Sequence, residues 1–217
     1  MTHEFSHVLA HWGDRAESAP ECAVRLVAFL TRLAALHPAL AAWDGLVGED
    51  ETLPPEAWRL EPDVAQAERF ARQCRRDDGD PPEYLGFRLP LLSSDRSLSL
   101  SIHCGAHRNG PGTGNSVALF FPEPAPATAR RYGPDTVRDL VTAVAEVWRP
   151  EWVTFADSLP DTGQSETRRR RPVGFLTWTP GPTAPVLADH PHLATEPLAD
   201  GTLLTRPEWR AVRTRLP

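Results

Sequence analysis

Between Cys22 and Leu36 the apolar positions recur at threes and fours: Cys22, Leu26, Phe29, Leu30, Leu33 and Leu36. That spacing lines one side of a helix. Ser18-Ala-Pro-Glu21 just before it is a capping box, with Ser18 as N-cap, Glu21 reaching back from N3 and a proline tolerated in the first turn. His37-Pro38 stops the stripe. Each large side chain so buried contributes roughly 1.5–3 kcal/mol, enough for this helix to anchor a fold. Trp43 follows, and a Pro- and acid-rich connection over about 44–62 leads to a second predicted helix, about 63–75, with Val64, Ala67, Phe70, Ala71 and Cys74 inward.

From Tyr84 the period changes to two. "GFRLPLL" and "SLSLSIHC" read as consecutive strands, the second alternating Leu98, Leu100, Ile102 and Cys104 against Ser97, Ser99, Ser101 and His103. The loop "GAHRNGPGTGN" is a long hairpin turn leading to the apolar strand "VALFF", placed in a sheet interior. A third helix spans about 134–148, with Pro134 at its start and Val137, Leu140, Val141, Val144 and Val147 as its stripe. "EWVTFA", "VGFLTWT" and "GTLLT" supply further strands, and "RPEWRAVRTRL" a short last helix. The amino-terminal segment with Phe5, Val8, Leu9 and Trp12 suits a helix or a strand closed by Gly13. The pattern predicts one α+β domain over 1–217, a largely antiparallel sheet with about three to four helices packed on it.

Composition narrows the chemistry. All 23 basic residues are arginine. Without lysine there is no P-loop phosphate cradle, Schiff base or Ser-Lys nucleophile. The formal charge is -6, and residues 44–83 hold twelve acids against five arginines. An acidic surface repels phosphate backbones and steers basic proteins, so direct nucleic-acid binding is disfavoured and a basic protein partner is expected. No window approaches eighteen uninterrupted apolar residues, and the first thirty lack the basic start and apolar core of a secretion signal. The expectation is a cytoplasmic protein with no membrane contact. Cys22, Cys74 and Cys104 form no C-x-x-C and read as small buried hydrophobes.

Several short motifs invite catalysis. His3-Glu4-Phe5-Ser6-His7 spells H-E-x-x-H, which on a helix sets two histidines one turn apart on zinc with the glutamate activating its water. A zinc peptidase or hydrolase is therefore one reading, set against a partly solvated edge element. His103 and Cys104 point to opposite faces of a strand and cannot easily share an ion. Asp189-His190-Pro191-His192 places two rings on one side of an extended segment, against the plainer reading of a polar proline-broken loop. "RRRR" at 168–171 reads as a solvated loop or a partner contact, and no G-x-S-x-G occurs. Neither a catalytic residue nor a metal ligand is assigned, and no cofactor is expected.

The opening stretch carries a second message. Trp12-Gly13-Asp14-Arg15-Ala16-Glu17-Ser18, then Glu21-Cys22-Ala23 and a long apolar helix, resembles the start of the immunity protein 52 family of bacterial polymorphic toxin systems. Trp43 after "LHPAL", "NSVALFFP" (115–122), "VWRPEW" (147–152, with Trp152) and "VGFLTW" (173–178, with Gly174) follow in the family's order. The resemblance implies a cytoplasmic immunity protein that binds and neutralises a toxin encoded by the adjacent gene, typically a restriction-endonuclease-like nuclease, with neither catalysis nor cofactor. The motif residues transfer as structural positions: Trp12 as a core anchor, Arg15 and Glu17 as an ion pair or cap, Ser18 as N-cap, Cys22 inside. The toxin-contact face is argued from charge instead. Glu49, Asp50, Glu51, Asp77, Asp78, Asp80 and Glu83 would present carboxylates where a nuclease cleft expects DNA, the plainer reading being loop charges that keep the chain soluble. An adaptor or chaperone that holds an effector without inhibiting it is the remaining alternative.

Overall fold

The computed structural model describes residues 5–47, 56–74, 85–107, 114–157 and 173–215. Among these lie ten strands and six helices. The strands are β1 (Ser6–Trp12), β2 (Trp43–Val47), β3 (Glu56–Leu60), β4 (Phe87–Ser93), β5 (Ser99–Cys104), β6 (Asn115–Phe121), β7 (Trp152–Ala156), β8 (Leu176–Thr179), β9 (Ala194–Leu198) and β10 (Gly201–Thr205). The helices are α1 (Ala19–Leu36), α2 (Val64–Gln73), α3 (Ala125–Tyr132), α4 (Pro134–Trp148), α5 (Ala184–Asp189) and α6 (Pro207–Arg215). Within the two compact units described next, the hydrogen-bonded strand orders are β3-β2-β4-β5 and β7-β8-β10-β9. The chain divides into two compact units, residues 11–119 and residues 1–10 with 120–217.

In the unit of residues 11–119, β2 pairs antiparallel with β3 and β4, and β4 with β5. Helix α1 packs on α2, and α2 on β2 and β4. Cys22, Leu26, Phe29 and Leu33 are fully buried, as the stripe predicts. At the helix start the Glu21 carboxylate accepts from the Ser18 N–H and hydroxyl, both at 2.7 Å. These bonds hold the Glu21 carboxyl below its usual range. The region read as a connection over 44–62 is a hairpin instead, registering Trp43 with Leu60, Gly45 with Trp58 and Val47 with Glu56. Its first strand, Trp-Asp-Gly-Leu-Val, lacks alternation for a physical reason: a Cβ on Gly45 would meet the Phe70 ring at 2.6 Å. The glycine lets the α2 side chain lie directly on the strand.

In the other unit, β7 and β10 pair antiparallel with β8, and β10 with β9. Helix α4 covers β7 and β8, while α3 touches α4 and α6. Beneath α4 lie Val153, Phe155, Leu176 and Trp178, all buried. The Trp178 indole N–H reaches the Leu198 carbonyl at 2.9 Å.

The helix count corrects the expected three to four to six. Both unforeseen helices are short and carry a proline in their first turn, Pro126 in α3 and Pro185 in α5. A proline there reads as loop punctuation, yet the missing N–H would have had no intrahelical partner. Strand β9 was concealed by Pro197; it ends the strand order, where a ladder donor is dispensable. The apolar run around Val117 forms β6 with alternating burial, Asn115, Val117, Leu119 and Phe121 inward, instead of a strand buried on both faces. Among the described residues no helix is long and apolar enough to cross a membrane.

Candidate functional site

The motif stretch Trp12–Cys22 converges on one buried carboxylate. Strand β1 ends at Trp12, itself buried, and the chain turns before α1. Within that turn Glu17, whose side chain is only 5% exposed, receives Arg15 Nε at 3.2 Å and Arg25 Nε at 2.5 Å. The Arg15 guanidinium lies over the Trp12 ring, 4.8 Å from its centroid. Burial lowers the Arg15 pKa and the Glu17 charge opposes that shift. This arrangement explains the pairing of Arg15 and Glu17: one carboxylate fixes two guanidiniums, and the indole face supports one of them.

Asn115, the first residue of β6, closes the cluster and was not singled out by sequence. Fully buried, it accepts from the Ala106 N–H at 2.9 Å and donates to the Gly13 carbonyl at 2.8 Å and the Ala106 carbonyl at 3.0 Å. Its own carbonyl meets His11 Nδ1 at 2.9 Å. The block "NSVALFFP" contained the signal, since a lone Asn opening an apolar run needs partners once buried. Gly105, with φ +78°, completes the approach: a Cβ there would stand 2.6 Å from the Glu17 carbonyl.

Cys22 and Cys104 are both fully buried in this unit. A hydrogen bond to Cys22, followed by burial, holds the Cys104 thiol well above the ordinary range, away from the thiolate that nucleophilic chemistry needs. Cys74 differs from the expected buried hydrophobe in being half-buried. Its sulfur lies 3.9 Å from the Leu46 carbonyl. Trp43 is buried with its indole N–H on the Leu40 carbonyl at 2.9 Å. Trp152 opens β7 half-buried. Gly174 is buried where a Cβ would overlap the Phe155 carbonyl and Thr154 Oγ1.

The zinc reading loses its scaffold. His3 and Glu4 lie outside the described residues, but His7 stands on β1, not on the helix that H-E-x-x-H requires. Nor is it partly solvated: His7 is fully buried, its ring 6.3 Å from Phe5 and 6.2 Å from Phe120. Burial pushes its pKa down to about 4. His190 and His192 have ring centroids 6.0 Å apart. Among the described residues no three His, Cys, Asp or Glu side chains gather as a metal site. His103 faces away from Cys104, as the alternation predicts.

The seven charge-map candidates, Glu49, Asp50, Glu51, Asp77, Asp78, Asp80 and Glu83, lie outside the described residues, as does the arginine run 168–171. Their points of attachment are described. Residues 48–55 connect β2 to β3, and residues 75–84 follow Cys74 at the end of α2. The Cys74 contact with Leu46 joins those two departure points, and the Arg88 N–H donates to the Cys74 carbonyl at 3.1 Å.

Among solved structures the chain is similar to the Pseudomonas aeruginosa T6SS protein PA0821, with a TM-score of 0.51 at 14% identity over 97% of this chain and 71% of that one. This is a likeness of fold. No curated protein matches. The family model described as immunity protein 52 matches residues 4–205, and it runs through the Trp12–Cys22 cluster, Asn115, Trp152 and Gly174 alike. The chain belongs to the immunity protein 52 family.

Proposed function

We propose that this protein binds a cognate toxin in the cytoplasm and neutralises it by covering it, without making or breaking bonds. Family membership carries the reading. The similarity of fold to a T6SS protein agrees with it. The toxin is read as the product of the adjacent gene and as a nuclease of the restriction-endonuclease-like kind. A cleft that attracts phosphates is basic, and an inhibitor profits from setting carboxylates there.

The contact face is assigned to the acidic segments around Glu49, Asp50 and Glu51 and around Asp77, Asp78, Asp80 and Glu83. What supports this is the junction of Cys74 with Leu46, since the two segments follow closely in sequence from residues that touch each other. Carboxylates brought to one partner surface act together within a Debye length, about 8 Å at physiological salt.

The deciding experiment is co-expression of the adjacent gene with and without this chain. Growth should fail with the neighbour alone and recover with both, and purified chain should form a complex that suppresses nuclease activity. Co-purification with a fully active effector would replace neutralisation by a carrier role, and a harmless neighbour would remove the reading.

A further inference from the structure

Strand β3 begins the strand order and pairs on one side only, with β2. The bonds around it fix which way its backbone groups point. The Ser94 N–H donates to the Ala42 carbonyl at 3.0 Å, which turns that carbonyl toward β4. Backbone groups alternate along a strand, so Trp43, Gly45 and Val47 give theirs to Leu60, Trp58 and Glu56 of β3. The same alternation leaves the N–H and C=O of Ala57 and Arg59 on the outer edge. Gln66 of α2 agrees with this: its Nε2 donates to the Arg59 carbonyl and its Oε1 accepts from the Glu61 N–H, both at 2.8 Å. That side chain closes one end of the edge. Among the described residues nothing meets the Ala57 N–H, the Ala57 carbonyl or the Arg59 N–H.

Sheet edges are ordinarily guarded by proline, a bulge or an outward charge. Edge strand β9 has Pro197, but Glu-Ala-Trp-Arg-Leu has no proline, and its register with β2 runs through five consecutive pairs without a bulge. Its one cation does not guard it either. Arg59 Nε reaches back to Asp44 Oδ1 on β2 at 2.8 Å, so its charge is compensated and its side chain is drawn away from the edge. Ala57 and Arg59 are exposed, and Trp58 between them is half-buried. An antiparallel strand laid here uses all three open groups, and its residue opposite Trp58 finds the indole beside it. Charge selects the occupant. Exposed Glu61 and Asp63 follow the edge, the segment with Glu49, Asp50 and Glu51 precedes it in sequence, and the chain carries -6 overall. A second copy would bring like charges together, whereas a basic strand is attracted.

We propose that the free edge of β3 takes one extended, basic segment of the toxin as an added antiparallel strand, through the backbone of Ala57 and Arg59. The proposal rests on the toxin-binding reading for the identity of the partner and on the edge alone for the mode of binding.

The test has two arms on the full chain. In the first, amide hydrogen exchange is followed by NMR for the chain alone and with the purified product of the adjacent gene. Alone, the Ala57 and Arg59 amides should exchange about tenfold or more faster than those of Trp58 and Leu60, which bond to β2. In the complex, Ala57 and Arg59 should slow by about tenfold or more. A complex that leaves both amides fast overturns the proposal and keeps the toxin-binding reading. Protection of both in the free chain overturns it as well, and protection that grows with chain concentration gives the edge to a second copy. Failure to form any complex removes the toxin-binding reading and this proposal together. In the second arm, Ala57→Pro deletes the outward N–H and leaves the ladder to β2 its donors. Toxin affinity should fall by about tenfold or more at unchanged thermal midpoint, and unchanged affinity overturns the proposal. Should the proline lower the midpoint, the exchange pattern of the unaltered complex decides.

Discussion

The Cys74 sulfur lies 3.9 Å from the Leu46 carbonyl, joining the end of α2 to the end of β2. Two acidic segments continue from these residues, so their carboxylates should act on one partner surface. Reversing Glu49 and Asp50 to arginine, or Asp77 and Asp78, is expected to slow association with the toxin by about tenfold in either case at low salt, and to flatten the dependence of the on-rate on ionic strength. Stopped-flow association at several salt concentrations measures this. If only one pair slows binding, the shared face is lost; if neither does, the carboxylates serve solubility.

The buried His7 ring makes stability depend on pH in a stated direction. Its pKa is about 4 in the fold, against the ordinary 6.5 in the unfolded chain. Between those values the unfolded chain holds a proton that the folded one lacks, so this contribution is complete above pH 6.5 and disappears as pH falls toward 4. The loss should be roughly 3 kcal/mol. His7→Phe, which keeps a ring against Phe5 and Phe120, should flatten the fall in thermal midpoint between pH 6.5 and 4.5. An unchanged slope would place the acid sensitivity elsewhere.

What the sequence made legible follows from how local each cause is. The α1 stripe and the Ser18–Glu21 cap are contained within twenty residues, and both appear as read. The hairpin β2–β3 was hidden because its glycine answers to Phe70, twenty-five positions away, and not to its own neighbours. The pairing of Arg15 with Glu17 was visible as a motif. Arg25 as the second cation, Trp12 as the supporting ring and Asn115 as the clasp required the fold. H-E-x-x-H misled for the opposite reason: the letters are local, but their chemistry needs a helix, and Ser6–Trp12 is extended.

Asn115 satisfies three backbone groups with one amide. Asn115→Ala strips the side-chain partner from the buried Ala106 N–H and one bond each from the Gly13 and Ala106 carbonyls, the latter still held by the Arg15 N–H at 3.0 Å, at a cost of about 1–3 kcal/mol. Asn115→Asp keeps the acceptor and loses the two donated bonds, so it should also destabilise. Urea denaturation should show a lower midpoint for both with little change in slope. A loss under about 1 kcal/mol for the alanine variant would mean that water replaces the amide and the clasp is dispensable.

Gly45 and Phe70 supply the sharpest test of the packing between α2 and β2. A methyl group at Gly45 would sit 2.6 Å from the Phe70 ring, closer than carbon atoms tolerate, and Phe70 is fully buried with no room to swing aside. Gly45→Ala should therefore destabilise by about 1–3 kcal/mol, although alanine has the lower conformational entropy in the unfolded chain and the better strand propensity. Phe70→Leu alone should cost about 1 kcal/mol or more through lost volume. In the double variant the added methyl and the removed ring edge compensate, so the two costs should fall short of their sum by 1 kcal/mol or more. Strict additivity would mean that helix and strand separate slightly instead of contesting the same space. Toxin association then becomes informative: because the acidic segments continue in sequence from the ends of β2 and α2, a shifted α2 should slow the Gly45→Ala chain's binding more than its stability loss explains, and Phe70→Leu in the same chain should restore it.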